Sequence, residues 1–229
     1  MPSGFFQTLT QVDWFPLWLS LRVAALATVI SVVFGLLAAY CLANFEFRGK
    51  ELLDAVITLP IVLPPTVLGY YLLVVLGRDS FLGRWHEAFW GAPLVFTWQA
   101  AVVAAVVHSF PLLVKSARAA LESVDASFAQ AARTLGAPEW RVFLRVTLPL
   151  ARRSILAAAV FAFARSLGDF GVTIMIAGNI PGRTQTLAVA IYDAVESGNG
   201  ALARTLSIVI AAVAGIVLYV VNRLGRSEE

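Results

Sequence analysis

The 229-residue chain is 59% hydrophobic and only 14% charged, with a mean hydropathy of +0.81. Soluble domains run at roughly 45–50% apolar and ~25% charged, so a water-soluble fold is excluded and the surplus apolar surface is assigned to lipid. A net charge of +3 fits the basic bias of membrane loops rather than a nucleic-acid footprint, and the single cysteine, Cys41, excludes a disulfide framework or a cysteine metal cluster.

No basic residue precedes Arg22, so the charged start of a signal peptide is missing and the first apolar run is expected to stay as a span. That run is Pro16 to Leu42, with Pro16 suited to a first helical turn. Phe45 to Asp54 reads as a short charged loop carrying Arg48 and Lys50. Ala55 to Leu76 reads as the second span, interrupted by Pro60 and the Pro64–Pro65 pair. These prolines remove intrahelical hydrogen bonds and kink or open the helix. In lipid the freed carbonyls need other partners, so the break is expected to be covered by protein or to line a cavity. Pro64 and Pro65 are therefore translocation-path candidates, with a static kink as the alternative.

Gly77 to Pro93 mixes charges with Trp85 and Trp90 and reads as an interfacial loop. Leu94 to Val114 is the third span, running on as a polar helix through Lys115, Arg118 and Glu122. The stretch Asp125 to Pro149 then lies between apolar segments. Phe128, Ala131, Ala132 and Leu135 fall on one helical stripe, with Asp125 as N-cap and Gly136 just past the C-terminus. A lone helix below ~12 residues is marginal in water, so a partner must cover that stripe. Pro138 to Thr147 reads as an amphipathic segment for the membrane surface, with Pro138 at its first helical position.

Leu150 to about Ile180 is too long for one perpendicular span and is expected to tilt, to break at Gly168 or Gly171, or to extend beyond the bilayer. Arg165 and Asp169 lie four apart within it, on one helical face, where they can pair. Ionisable groups inside a membrane are functional candidates by default, although this pair could simply fix helix packing. Arg22 could snorkel outward from the first span, and His108, without an acidic partner nearby in sequence, gives no metal site. Pro181 to Gly200 is a polar loop with a short helix near Leu187 to Val195; Ala201 to Leu224 is the fifth span, and Arg223 to Glu229 a charged tail.

Five spans put the termini on opposite sides. One set of connections holds Arg48, Lys50, Lys115, Arg118, Arg133, Arg141, Arg145, Arg152, Arg153, Arg223 and Arg226; the other holds only Arg78, Arg84, Arg183 and Arg204. The richer side should be cytoplasmic, which puts the N-terminus outside and the C-terminus and the Asp125 helix inside. An odd number of spans does not divide into two equal inverted halves, which disfavours a secondary transporter.

Gln130-Ala131-Ala132, Gly136 and Val146-Thr147-Leu148-Pro149 resemble the cytoplasmic signature of type I ABC importer permeases: Glu-Ala-Ala, a Gly four residues after the second Ala, and a hydrophobic-x-Leu-Pro about ten further on. Gln130 stands where that family usually has Glu. The resemblance implies an all-α integral membrane protein of five transmembrane helices, with residues 1–229 forming a single transmembrane permease domain and 125–149 its coupling segment. It assigns Phe128, Gln130, Ala131, Ala132, Leu135, Gly136, Leu148 and Pro149 to contact with an ATPase subunit. It further implies a homodimer in the bacterial cytoplasmic membrane, two cytoplasmic ATPase subunits and an external substrate-binding protein. The chain is then a transport subunit rather than an enzyme and binds no cofactor, with ATP and Mg on the partner. In keeping with this, no Gly-x-x-x-x-Gly-Lys-Ser/Thr occurs in the sequence.

A narrower resemblance follows. Ala164-Arg165-Ser166-Leu167-Gly168-Asp169-Phe170-Gly171, then Ala177-Gly178-Asn179-Ile180-Pro181-Gly182, and Leu59-Pro60-x-Val62-Leu63-Pro64-Pro65 with Gly69, look like molybdate importer permeases. Sulfate permeases share the Leu-Gly-acidic-Phe-Gly element, while Asn-Ile-Pro-Gly favours molybdate or tungstate. Arg165 and Asp169 join Pro64 and Pro65 as path candidates. The competing readings are a sulfate or thiosulfate permease, a secondary anion transporter and, last, an integral membrane enzyme.

Overall fold

The computed structural model describes residues 12–226. Among them the chain forms helices and turns and no strand. Helix α1 is Phe15–Asn44, opening with Pro16 in its first turn and reaching ~45 Å at 1.5 Å per residue, enough to cross a bilayer core at a tilt. Helices α2 (Lys50–Val62) and α3 (Pro65–Leu76) form one bent pair, at 117° across a break that holds the Pro64–Pro65 pair. Because α2 starts at Lys50, the charged loop predicted to Asp54 is shorter than expected.

The predicted Gly77–Pro93 loop contains helix α4 (Phe81–Trp90). Ser80 explains it: the hydroxyl accepts from the Gly83 backbone N–H at 2.8 Å and caps the helix. Helix α5 (Trp98–Glu122) is the centre of the bundle, in contact with α1, α2 and the later helices Glu139–Leu167 and Gly171–Ala177. Ala100, Ala101, Ala104, Ala105 and Ala117 are fully buried on it, and such small side chains let neighbouring backbones approach closely where hydrophobic driving force between helices is absent.

Helix α6 (Ala126–Thr134) is followed by the continuous helix α7 (Glu139–Leu167). The predicted surface segment Pro138–Thr147 is thus corrected: it forms the opening turns of the next span. Pro138 is its N-cap rather than its first helical residue. Phe143 packs into the bundle, its ring centroid 4.3 Å from that of Tyr40 on α1. Within α7, Phe143–Thr147 is a turn of π-helix, with the Leu148 N–H donating to Phe143. Pro149 supplies the cause, since it has no N–H for the Arg145 carbonyl and its ring crowds that carbonyl, so the helix widens by one residue there.

The chain breaks after Leu167 and resumes as α8 (Gly171–Ala177), followed by α9 (Leu187–Glu196) and α10 (Gly200–Arg226). The break falls where the glycines predicted it. The expected tail from Arg223 is helical to Arg226; residues 227–229 lie outside the described ones, as do residues 1–11. Among the described residues, four helices are long and apolar enough to cross a membrane, or up to five if the bent α2–α3 pair is one span.

Candidate functional site

Helix α6 is bracketed by its sequence. The Asp125 carboxylate accepts from the Ser127 N–H at 2.8 Å, and this bond to its charged form holds its pKa below the usual aspartate range. At the other end Gly136 adopts φ 81°, the left-handed conformation that costs an L side chain energy. The Gly136 N–H donates to the Arg133 carbonyl at 2.9 Å and the Ala137 N–H to Ala132 at 3.1 Å, the paired bonds of a Schellman stop. Arg133 then grips Glu139 with two bonds, 2.7 and 3.0 Å long, tying the last turn of α6 to the first turn of α7.

One side of α6 rests on the opening turns of α7, where Ala132 is half-buried. The stripe is otherwise uncovered: Phe128 is 54% and Leu135 88% exposed, and Gln130 and Ala131 lie open beside them. Leu148 and Pro149 sit one helical stretch away, at the π turn. Leu148 is half-buried there and Pro149 exposed.

The second constellation lies where the Pro64–Pro65 bend meets the break after Leu167. Helix α8 packs on α3 and α5. A β-carbon at Gly171 would stand 2.6 Å from Cβ of Pro65, so only glycine lets the two breaks touch. Two of the path candidates, Pro65 and Asp169, are therefore neighbours of one crossing, and Pro64 caps α3 beside it. Replacing Gly171 by valine should force these breaks apart, at about 1–3 kcal/mol. A lowered melting temperature of the purified protein checks this, and an unchanged one contradicts the crossing.

Arg165 and Asp169 do not pair directly, contrary to the expectation from their spacing. The helix has ended at Leu167, so Asp169 no longer lies on the face of Arg165. His108 of α5 stands between them instead: its Nδ1 lies 2.7 Å from Asp169 Oδ1, and Nη2 of Arg165 lies against Nε2. These partners assign the tautomer, with Nδ1–H donating to the carboxylate and Nε2 accepting from the guanidinium. The other Asp169 oxygen accepts from Thr173 through its N–H at 3.1 Å and its hydroxyl at 2.6 Å, which secures the start of α8. Asp169 is 3% and His108 8% exposed and Thr173 is buried, with Arg165 half-buried at the edge, so the four residues form a connected network across the break. A sequence reading missed His108 because its acidic partner is 61 positions away.

The whole chain has known relatives. Residues 31–226 match the family model for the binding-protein-dependent transport system inner membrane component. The chain is 47% identical to the molybdenum transport system permease protein ModB of Escherichia coli K12, over 95% of this chain and 96% of that one. It is 41% identical to the putative molybdenum transport system permease protein YvgM of Bacillus subtilis, over 91% and 92%. The sulfate transport system permease protein CysT of E. coli K12 is 32% identical, over 97% of this chain and 84% of that one. Among solved structures, the inward-facing MetNI methionine ABC transporter matches at a TM-score of 0.75 and 17% identity, covering 96% of this chain and 97% of that one, which shows the fold. The chain belongs to the family of binding-protein-dependent transport system inner membrane components: it is a multi-pass membrane permease of the type I ABC importer fold.

Proposed function

We propose that this permease carries molybdate, with tungstate as a chemically equivalent cargo, into the cytoplasm of a bacterium. The carrying observation is the 47% identity, extending over nearly the full length of both chains, to a permease named for molybdenum transport. Identity to the sulfate permease is 32%, which makes sulfate the second reading.

In the proposed assembly two copies of the chain, each a single permease domain of residues 1–229, pair in the membrane. Two cytoplasmic ATPase subunits bind ATP and Mg, and an external binding protein delivers the oxyanion. Phe128, Gln130, Ala131, Ala132, Leu135 and Gly136 form the surface that docks in a cleft of each ATPase. The exposed Phe128 and Leu135 side chains support this, since a short amphipathic helix with an open apolar stripe suits a groove. Closure of the ATPases draws the two α6 helices together; the Arg133–Glu139 clasp passes the motion into α7, and the turn at Leu148–Pro149 absorbs part of it. At the far end of α7 the break held by Arg165, His108 and Asp169 rides against Pro64 and Pro65, opening or closing the path. Moving such an equilibrium from 1:99 to 99:1 takes ~5.5 kcal/mol of differential stabilisation, a demand suited to nucleotide and not to a loosely held dianion.

The test is reconstitution of the permease with its ATPase and binding protein in vesicles. ATP hydrolysis should rise with external molybdate or tungstate and stay at its basal rate with sulfate. Stimulation by sulfate alone would replace the first reading by the second.

A further inference from the structure

At the end of the bundle away from α6, a cavity of about 440 Å³ opens between α1, the start of α5 and the loop around residue 183. This volume falls in the usual range of small-molecule sites, ~300–1,000 Å³. Phe15, Trp18, Phe96 and Trp98 give it apolar walls, and Arg22 and Arg183 give it two positive charges. Among the described residues, neither guanidinium has a carboxylate partner. Arg22 sits about seven residues, ~10 Å, into α1, a depth at which an unpaired charge is costly unless it reaches water or an anion.

Arg22 does not simply extend along its helix to escape. Its guanidinium carbon lies 3.9 Å from the ring centroid of Trp98 and 5.2 Å from that of Trp18. Stacking occupies the faces of the guanidinium and leaves its in-plane N–H donors free for a second partner. The N-terminus of α5 borders the same space through Thr97, Trp98 and Gln99, and its dipole adds positive potential. Two free arginines, a helix start and an aromatic wall at interfacial depth are the requirements of a phosphate-like anion with an apolar attachment.

We propose that this cavity binds a tetrahedral oxyanion group through Arg22 and Arg183. The group has two possible sources of one chemistry: the phosphate of a membrane phospholipid, or a free dianion. The proposal holds whichever anion the transporter carries, so the loss of the molybdate reading leaves it standing.

The full-length permease is purified in detergent as the native chain, as Arg22→Gln, as Arg183→Gln and as the double variant. Arg204→Gln, a change outside the cavity, serves as the control. Dioleoylphosphatidylglycerol retention is measured by native mass spectrometry, and molybdate binding by equilibrium dialysis of lipid-free protein. Each lost charge-assisted contact should weaken binding about tenfold. Loss of lipid retention in the arginine variants assigns the site to a phospholipid, and loss of molybdate binding assigns it to a free oxyanion. Should the double variant fail to insert, the two single variants are read instead. Unchanged binding of both probes in the arginine variants, no binding by the native chain, or an equal loss in Arg204→Gln overturns the proposal.

Discussion

Replacing Gly136 by valine is expected to leave the permease inserted and folded while coupled ATP hydrolysis in the reconstituted transporter falls at least tenfold. The expectation rests on conformation rather than space. Gly136 sits at φ 81°, and a side chain there would meet no heavy atom within 4 Å, so nothing is crowded. An L residue in the left-handed region costs roughly 1–2 kcal/mol, and more when it is β-branched. The energy is recovered by relaxing the turn, which breaks the bonds from Gly136 and Ala137 and re-aims Phe128 and Leu135. A loss of 1.4 kcal/mol in docking is about tenfold in affinity. Asparagine visits this conformation more readily, so Gly136→Asn should retain much more activity than Gly136→Val. Equal activity of valine and glycine in a vesicle ATPase assay would remove α6 from the coupling pathway.

The largest stability effect is expected at Asp169. Its carboxylate answers His108 on one oxygen and Thr173 on the other, in a site 3% exposed. Asp169→Ala removes the anion and leaves the Arg165 charge facing a histidine with no counter-ion, a loss of about 3–5 kcal/mol for a broken buried pair. It also strips the start of α8 of its acceptor, worth about 1 kcal/mol. Asp169→Asn keeps an oxygen for Thr173 and should recover that second part only. Thermal unfolding of the purified protein reads the difference. If alanine and asparagine are equally mild, the network is not holding the break.

What could be read from the chain was whatever a local pattern determines. Asp125 and Gly136 bracket α6 through bonds spanning a few residues, and Pro64–Pro65 opens the second span through a donor that proline lacks. Gly168 and Gly171 marked the second break for the same kind of reason. The placement of His108 was not legible, because its meaning depends on α5 and α7 lying side by side. Periodicity also misled at Arg165 and Asp169: a spacing of four implies a shared face only while the helix continues, and here it ends between them. Two signals were present but unused. Ser80 announced α4 as an N-cap, and Pro149 announced a widened turn upstream of itself. Of the residues assigned to the ATPase contact, Phe128, Gln130, Ala131 and Leu135 lie open together, whereas Leu148 and Pro149 stand apart from them at the π turn.

In the proposed function, α6 seats in an ATPase cleft. A photo-crosslinking amino acid placed at Leu135, which is 88% exposed, tests it in cells that express the complete transporter. Val29, 61% exposed on the first span, is the control position. Illumination should join the Leu135 variant to a nucleotide-binding subunit in a yield that changes with ATP, and leave the Val29 variant free of it. A Leu135 variant that never captures that subunit, or captures it no better than the Val29 variant, would contradict the account.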